Sequence, residues 1–306
     1  MKSFKEIFSG KEKVLSFEFF PPKKSDLLKQ TENLMTELSA FSPHFMTVTY
    51  GAGGGTREFS KHLVSFIKNS LDIPSVHHLT CVGHNKNEIS DIVTSLKKNG
   101  IKHILALRGD PPKGQSTVES IPGGFSSARE LTEFLSTIGD LSLAVAGYPE
   151  GHPDANSDDE EMTYLKSKVD AGAELIITQL FFEERKYFSF CERAKIAGIK
   201  VPILPGIMPI QNVAQLERFT SMCGASIPSS LLSDLKKIEH NEEAVLEYGI
   251  EFGVSLIKKL LNGGAPGVHL YTLNKSRQIT PIVDRIATDL IASSRTDEIN
   301  SFETAN

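Results

Sequence analysis

Cysteine is scarce in this chain: three in 306 residues, at Cys81, Cys191 and Cys223. They are too few for a disulfide scaffold and too widely spaced for a metal finger. A reduced, cytoplasmic setting is therefore expected. No apolar run approaches the roughly 20 residues of a membrane helix. The opening, MKSFKEIFSGKEKV, is interrupted by charge too often for a signal peptide. Strong charge of one sign is missing too: 33 basic and 38 acidic residues sum to −5, so neither nucleic acid nor an anionic membrane is an expected partner. There is no Gly-x-Ser-x-Gly nucleophile elbow, and the one glycine loop lacks the Gly-Lys-Ser/Thr ending of a phosphate loop.

What is present is ordinary globular composition, 40% hydrophobic and 23% charged. That excludes a disordered chain, a coiled coil and a collagen-like fibre. At about 150 residues per domain the length allows two domains, but an α/β barrel holds 250 or more in one. Short apolar runs predict strands at Val14–Phe20, Phe45–Tyr50, Ser75–Cys81, His103–Leu107, Leu141–Ala146, Leu175–Leu180, Val201–Leu204 and Val268–Leu273. Between them apolar residues recur at helical spacing, as in Leu27, Leu34, Leu38 and Phe41. Asn99-Gly100, Ala171-Gly172 and Ala197-Gly198 supply glycine C-caps just before strands.

Alternation about every thirty residues means βα units and a parallel sheet. Eight units predict a closed (β/α)8 TIM barrel. A doubly wound sheet is the runner-up, but Pro21-Pro22-Lys23-Lys24 stands where its glycine fingerprint belongs. The last gap, 268 − 201 = 67 residues, is too long for one helix. It predicts extra helices before strand eight, at Asn212–Met222, Pro228–Ile238 and Glu242–Leu261. The expectation is one catalytic domain over 1–306, with its core at 14–290 and a polar tail, 293–306, that frays.

In such a barrel the C-terminal strand ends form the active site. Strand one brings Glu18, on one face with Ser16 and Phe20. Amid Phe17, Phe19 and Phe20 a carboxylate loses hydration, which favours its neutral acid form. The competing reading is a structural Glu paired with an arginine. Strand two ends in Thr49-Tyr50 and the glycine loop Gly51–Gly55, a weak signal by itself. Only one of His77 and His78 can face the centre, so the two cannot share a metal, and no close same-face histidine spacing marks a zinc site. Arg108-Gly109-Asp110 follow strand four, where an Arg–Asp pair is as good a reading as a functional one. Tyr148 to Pro153 make a stiff wall after strand five. Gln179 follows strand six, which carries no lysine for Schiff-base chemistry. One acid, aromatics, amides and glycines suit a large, flat heterocycle.

The stretches SFEFFPP, TVTYGAGG, HHLTC, LALRGDPP, AGYPEGHP, KVDAGAELIITQLFF, PGIMPI and YTLN occur in this order. On them the chain resembles methylenetetrahydrofolate reductase, in the bacterial form that has the catalytic barrel alone. The resemblance implies FAD at the barrel mouth and NADH or NADPH as donor. It implies ping-pong hydride transfer to 5,10-methylenetetrahydrofolate, giving 5-methyltetrahydrofolate for methionine synthesis. It also implies a homo-oligomer, and no inhibition by adenosylmethionine through a C-terminal domain. Carried over residue by residue, Glu18 is the general acid toward N10 of the folate. Asp110 is the carboxylate beside flavin and pterin, favouring the cationic iminium. Gln179, Gln215 and Lys275 are folate contacts, Phe219 packs on folate or nicotinamide, and Thr49 and Gln179 touch the nicotinamide. Tyr50, Ala52, His78, Arg108, Gly109, Tyr148, His152, Ala155 and Lys168 hold FAD, with Arg108, His152 and Lys168 offsetting its diphosphate.

The resemblance also puts Ser127-Ala128, where the family often has Tyr-Ala, and Glu161 and Tyr164, where Asp and Asn are common, among the cofactor contacts. Lys275 stands for an arginine, keeping the charge without the bidentate fork. Two alternatives remain at this stage. One is a flavin-free pterin-binding transferase barrel; the other is a barrel that binds without catalysis. Tyr148 and His152 weigh against the first, and Glu18, Asp110 and Gln179 against the second.

Overall fold

The computed structural model describes residues 2–50, 56–109 and 121–303, with side chains described through 291. In chain order the elements are α1 (Phe4–Ile7), β1 (Val14–Phe19), a 3-10 turn (Ser25–Leu27), α2 (Leu28–Ser39), β2 (Phe45–Val48), α3 (Arg57–Ser70) and β3 (Ser75–Thr80). Then come α4 (Lys86–Lys98), β4 (His103–Leu107), α5 (Ala128–Ile138), β5 (Ser142–Gly147), α6 (Asp158–Asp170), β6 (Leu175–Thr178) and α7 (Glu184–Ile196). The chain finishes with β7 (Ile203–Leu204), β8 (Gly206–Ile207), α8 (Val213–Cys223), α9 (Ser229–Ile238), α10 (Glu242–Asn262), β9 (Gly267–Tyr271) and α11 (Ser276–Glu303).

All paired strands are parallel, in the order β7-β6-β5-β4-β3-β2-β1-β9-β8. The two ends of that order, β7 and β8, are one run of chain broken by Pro205. The sheet therefore closes on itself as a (β/α)8 barrel, as the rhythm predicts. Proline has no N–H for the ladder, so strand seven divides there instead of running Val201–Leu204. Strands one, two, three and six stop one or two residues short of the predicted ends. Strand five spans Ser142–Gly147, not Leu141–Ala146. Strand eight ends at Tyr271, because Leu273 and Asn274 adopt left-handed φ of 51° and 55°. Gly100, Gly172 and Gly198 do follow helix ends at positive φ.

Side chains alternate across the barrel wall. Phe17, Phe19, Met46, Val48, Leu79 and Ile176 pack outward under the helices. Inside, Val14, Phe45, Val76, Leu105, Leu175 and Leu204 fill the lower barrel, and Phe4 and Ile7 of α1 plug its floor. Above them the interior turns polar: Ser16, Glu18, Thr47, His78 and His269 are all buried. Phe17 and Phe19 thus face away from Glu18, so the barrel interior removes its water, not those rings. The long insertion forms three helices close to their predicted ranges. Two of them, α8 and α9, cap the mouth over an apolar layer of Leu180, Phe182, Met208, Leu216, Leu231 and Leu235. Among the described residues no helix is long and apolar enough to cross a membrane.

Candidate active site

Glu18 is 7% exposed and lies inside the upper barrel. Its neighbours are histidines, not an arginine. His269 Nε2 is 3.4 Å from Glu18 Oε2, and His269 Nδ1 meets the Ser16 hydroxyl at 2.8 Å. His78 Nε2 lies 3.5 Å from the same carboxylate oxygen and has no hydrogen-bond partner among the described residues. Burial pushes His78 down to about 4, with Glu18 opposing the shift, so at neutral pH the ring is uncharged. His78 is the inward member of its pair. His77 turns outward against the Tyr50 ring, and burial lowers it to about 3.

Tyr271 connects Glu18 to the mouth. Its hydroxyl donates to the Thr178 carbonyl at 2.6 Å. Burial raises its pKa, and the nearby Glu18, Tyr148 and Cys223 add to the rise. Beyond it a cleft of about 300 Å³ opens after β4 and β5. It is lined by Arg108, Ser127, Ala128, Tyr148, His152, Ala155, Glu161, Tyr164 and Lys168, all of them expected cofactor contacts. Ala106, Leu107, Ser126, Ala146, Asp154 and Glu160 complete the lining. A larger cavity, about 850 Å³, lies at the opposite end of the barrel, among Lys2, Lys11, His44 and Lys68. It is far from the strand ends that gather the chemistry, so we assign the site to the smaller one.

Within the cleft, Tyr148 and His152 pack edge to face with centroids 4.5 Å apart. Lys168 is 3% exposed, and its Nζ donates to the Ala146 carbonyl at 2.7 Å. Burial lowers it to about 8, with Glu161 opposing. Glu161, also 3% exposed, is shifted upward by burial, and its Oε1 has no partner among the described residues. Arg108 already pairs with Asp154 at 2.8 Å. Acidic residues therefore offset much of the positive charge that Arg108 and Lys168 bring. The Tyr164 ring stands 5.0 Å from the Lys168 ammonium, and its hydroxyl faces Ser127 and the first amides of α5. Two rings, a buried lysine and an unpartnered carboxylate oxygen fit a flat ligand that carries both hydrogen-bonding groups and negative charge.

Other expected residues lie around this cleft. Tyr50 is buried, with its hydroxyl 2.8 Å from His84 Nε2, so its ring serves packing. Thr49 caps the end of β2, its N–H donating to the Phe19 carbonyl at 3.0 Å. Gly109 has φ of 94° and approaches Thr80 so closely that a Cβ would meet it at 3.0 Å. The Gln179 amide oxygen accepts from the Leu180 N–H at 2.9 Å. Gln215 has a buried, unpartnered Oε1, and Phe219 on the same helix packs on the mouth's apolar layer with Tyr271 and Leu273. Lys275 donates to Gln211 at 3.0 Å. Ala52 and Asp110 lie outside the described residues, as does most of the glycine loop. The sequence reading missed His269 and Tyr271, although alternation puts both on the inward face with Ser16 and Glu18. No group of three or more metal-ligating side chains occurs among the described residues.

A family model described as methylenetetrahydrofolate reductase matches residues 3–287. A 5,10-methylenetetrahydrofolate reductase of Salmonella typhimurium is 37% identical over 262 residues, 86% of each chain. Methylenetetrahydrofolate reductase (NADH) 1 of Arabidopsis thaliana is 38% identical over 290 residues, 91% of this chain and 49% of that protein. The chain spans about half the length of the plant relatives it matches. A solved structure of an uncharacterized Clostridium thermocellum protein that binds two copies of 5-methyl-5,6,7,8-tetrahydrofolic acid superposes with TM-score 0.63 at 16% identity, covering 94% of this chain and 99% of the other. At that identity the likeness is one of fold.

Proposed function

The chain belongs to the methylenetetrahydrofolate reductase family, and on that premise we propose that it reduces 5,10-methylenetetrahydrofolate to 5-methyltetrahydrofolate with FAD and a nicotinamide nucleotide. NADH is the donor named for the plant relatives, and we take it as the donor here. The observation that carries the reading is the convergence of Arg108, Tyr148, His152, Glu161 and Lys168 on one cleft beside Glu18's end of the barrel. When bound there, FAD would accept hydride from the nucleotide and deliver hydride to the folate's one-carbon unit, in alternation.

The chain's own residues do the rest. Glu18 gives its proton to N10 of the folate; the bond from N10 to the bridging carbon breaks, leaving a cationic iminium at N5. His269, itself held by Ser16, orients the carboxyl group and can pass it the replacement proton. Neutral His78 adds no positive charge that would oppose the iminium. Asp110 supplies the balancing negative charge in this reading. Lys168 and Arg108 meet the cofactor's diphosphate, with Tyr148 and Tyr164 against its rings. Gln215 and Phe219 hold the pterin from α8. The product supplies methyl groups for methionine synthesis. From the resemblance and the scarcity of cysteine we infer a homo-oligomer in the cytoplasm.

An anaerobic visible spectrum tests the whole reading. A yellow protein should bleach with NADH and recolour with the folate. A protein that stays colourless after FAD is added would move the assignment to a flavin-free barrel.

A further inference from the structure

One carboxylate ties the loop after β5 to the loop after α8. Glu150 Oε1 accepts from the Ser226 N–H at 3.1 Å, and Oε2 accepts from the Ser226 hydroxyl. Lys186 of α7 adds a charge partner at 3.2 Å, and only 10% of the Glu150 side chain is exposed. A second contact joins the same loops. Gly224, at φ +75°, lies so near Pro153 that a Cβ would meet Pro153 Cγ at 3.3 Å. From the other side Arg193 donates to the Pro149 carbonyl at 3.1 Å.

The position of this tie is what matters. Tyr148 and His152, which flank Glu150 in the chain, wall the cleft. Ser226 follows the helix that carries Gln215 and Phe219. That helix rests on an apolar layer, and apolar contact is non-directional, so it resists sliding poorly. Charge-assisted hydrogen bonds are directional and fix a distance. We propose that Glu150 is a positioning residue, latching α8 to the wall of the cofactor cleft and so setting the gap in which the folate binds. The role of that gap rests on the function proposed above; the latch itself does not.

Glu150→Ala, Glu150→Gln and Ser226→Ala in the full chain test it. The measurements are FAD affinity by flavin fluorescence, KM and kcat for 5,10-methylenetetrahydrofolate, and hydrogen exchange of α8 amides without ligand. Glu150→Ala should raise KM about tenfold, the worth of a charge-assisted hydrogen bond. Its kcat and FAD affinity should stay within about twofold, while α8 exchanges faster. Glu150→Gln keeps an acceptor and should fall between. Ser226→Ala loses the hydroxyl bond but keeps the backbone N–H bond, so it should raise KM by less than Glu150→Ala and add nothing on top of it. Faster exchange with unchanged KM would reduce Glu150 to a loop staple and overturn the proposal. Loss of FAD affinity in step with KM would do the same, by making Glu150 part of the cofactor wall. Unchanged exchange would remove the latch. If the parent chain neither takes up FAD nor reduces folate, the proposed function has failed instead, and exchange at α8 still decides whether the latch exists.

Discussion

Glu18 shows what a single position in a sequence can reveal. Strand alternation places it inward, and the structure agrees. Its partner His269 lies 251 residues away, a pairing that no local pattern announces. Glu18→Gln should keep FAD and its bleaching by NADH but lower methyltetrahydrofolate formation at least about a hundredfold, the usual worth of a general acid. Normal turnover in that variant would remove the acid role. Lys168 gives a pH prediction. Burial lowers its pKa to about 8 from the 10.5 of an exposed lysine, so between those values the unfolded chain binds more protons. Stability of the ligand-free protein should then rise with pH across that window. Below about pH 8 the buried charge is a constant cost of up to roughly 3 kcal/mol, so Lys168→Met should stabilise the ligand-free protein at pH 7. An anionic cofactor needs the charged lysine. FAD affinity should be flat below about pH 8 and fall by up to tenfold per unit above it. A titration of flavin fluorescence against pH reads this, and a flat profile to pH 9.5 would exclude Lys168 from the diphosphate.

At the scale of elements, the βα rhythm and the glycine C-caps were legible because they are local. Strand ends were less so. Thr49, Tyr50, Gln179 and Leu180 continue the predicted strands, yet they leave the ladder to shape the mouth. Tertiary contacts override propensity there. Pro205 was visible in the sequence, but not that strand seven continues past it as Gly206–Ile207. Gly206 is needed for close approach: an added Cβ would meet the Thr178 carbonyl at 2.3 Å and the Tyr271 hydroxyl at 2.5 Å. Gly206→Ala should therefore cost about 2–4 kcal/mol, seen as a lower thermal midpoint. It should also disturb the Tyr271–Thr178 bond beside Glu18. An unchanged midpoint would mean that β8 can shift without cost.

The whole molecule separates stability from chemistry along the barrel axis. Its floor is closed by α1, where Phe4 is fully buried, 4.7 Å from the His103 ring and 5.6 Å from Phe45. Nothing in the opening residues of the sequence marks them as a plug, because four helical residues make no periodic pattern. Phe4→Ala should cost about 3–5 kcal/mol and lower the thermal midpoint by several degrees, yet leave KM and kcat at 25 °C unchanged. A changed KM would mean that the two ends communicate.

The seam of the barrel carries one more consequence. The strand β9 that joins β1 to β8 is separated from β8 by three helices. During translation the first eight strand segments can leave the ribosome and pair while β1 still lacks one neighbour. His269 reaches Ser16 and Glu18 only when β9 docks. The environment of the acid is therefore completed by the same step that closes the sheet. A nascent or partly opened chain that has lost this strand lacks the acid's partner, so the chemistry cannot run ahead of folding.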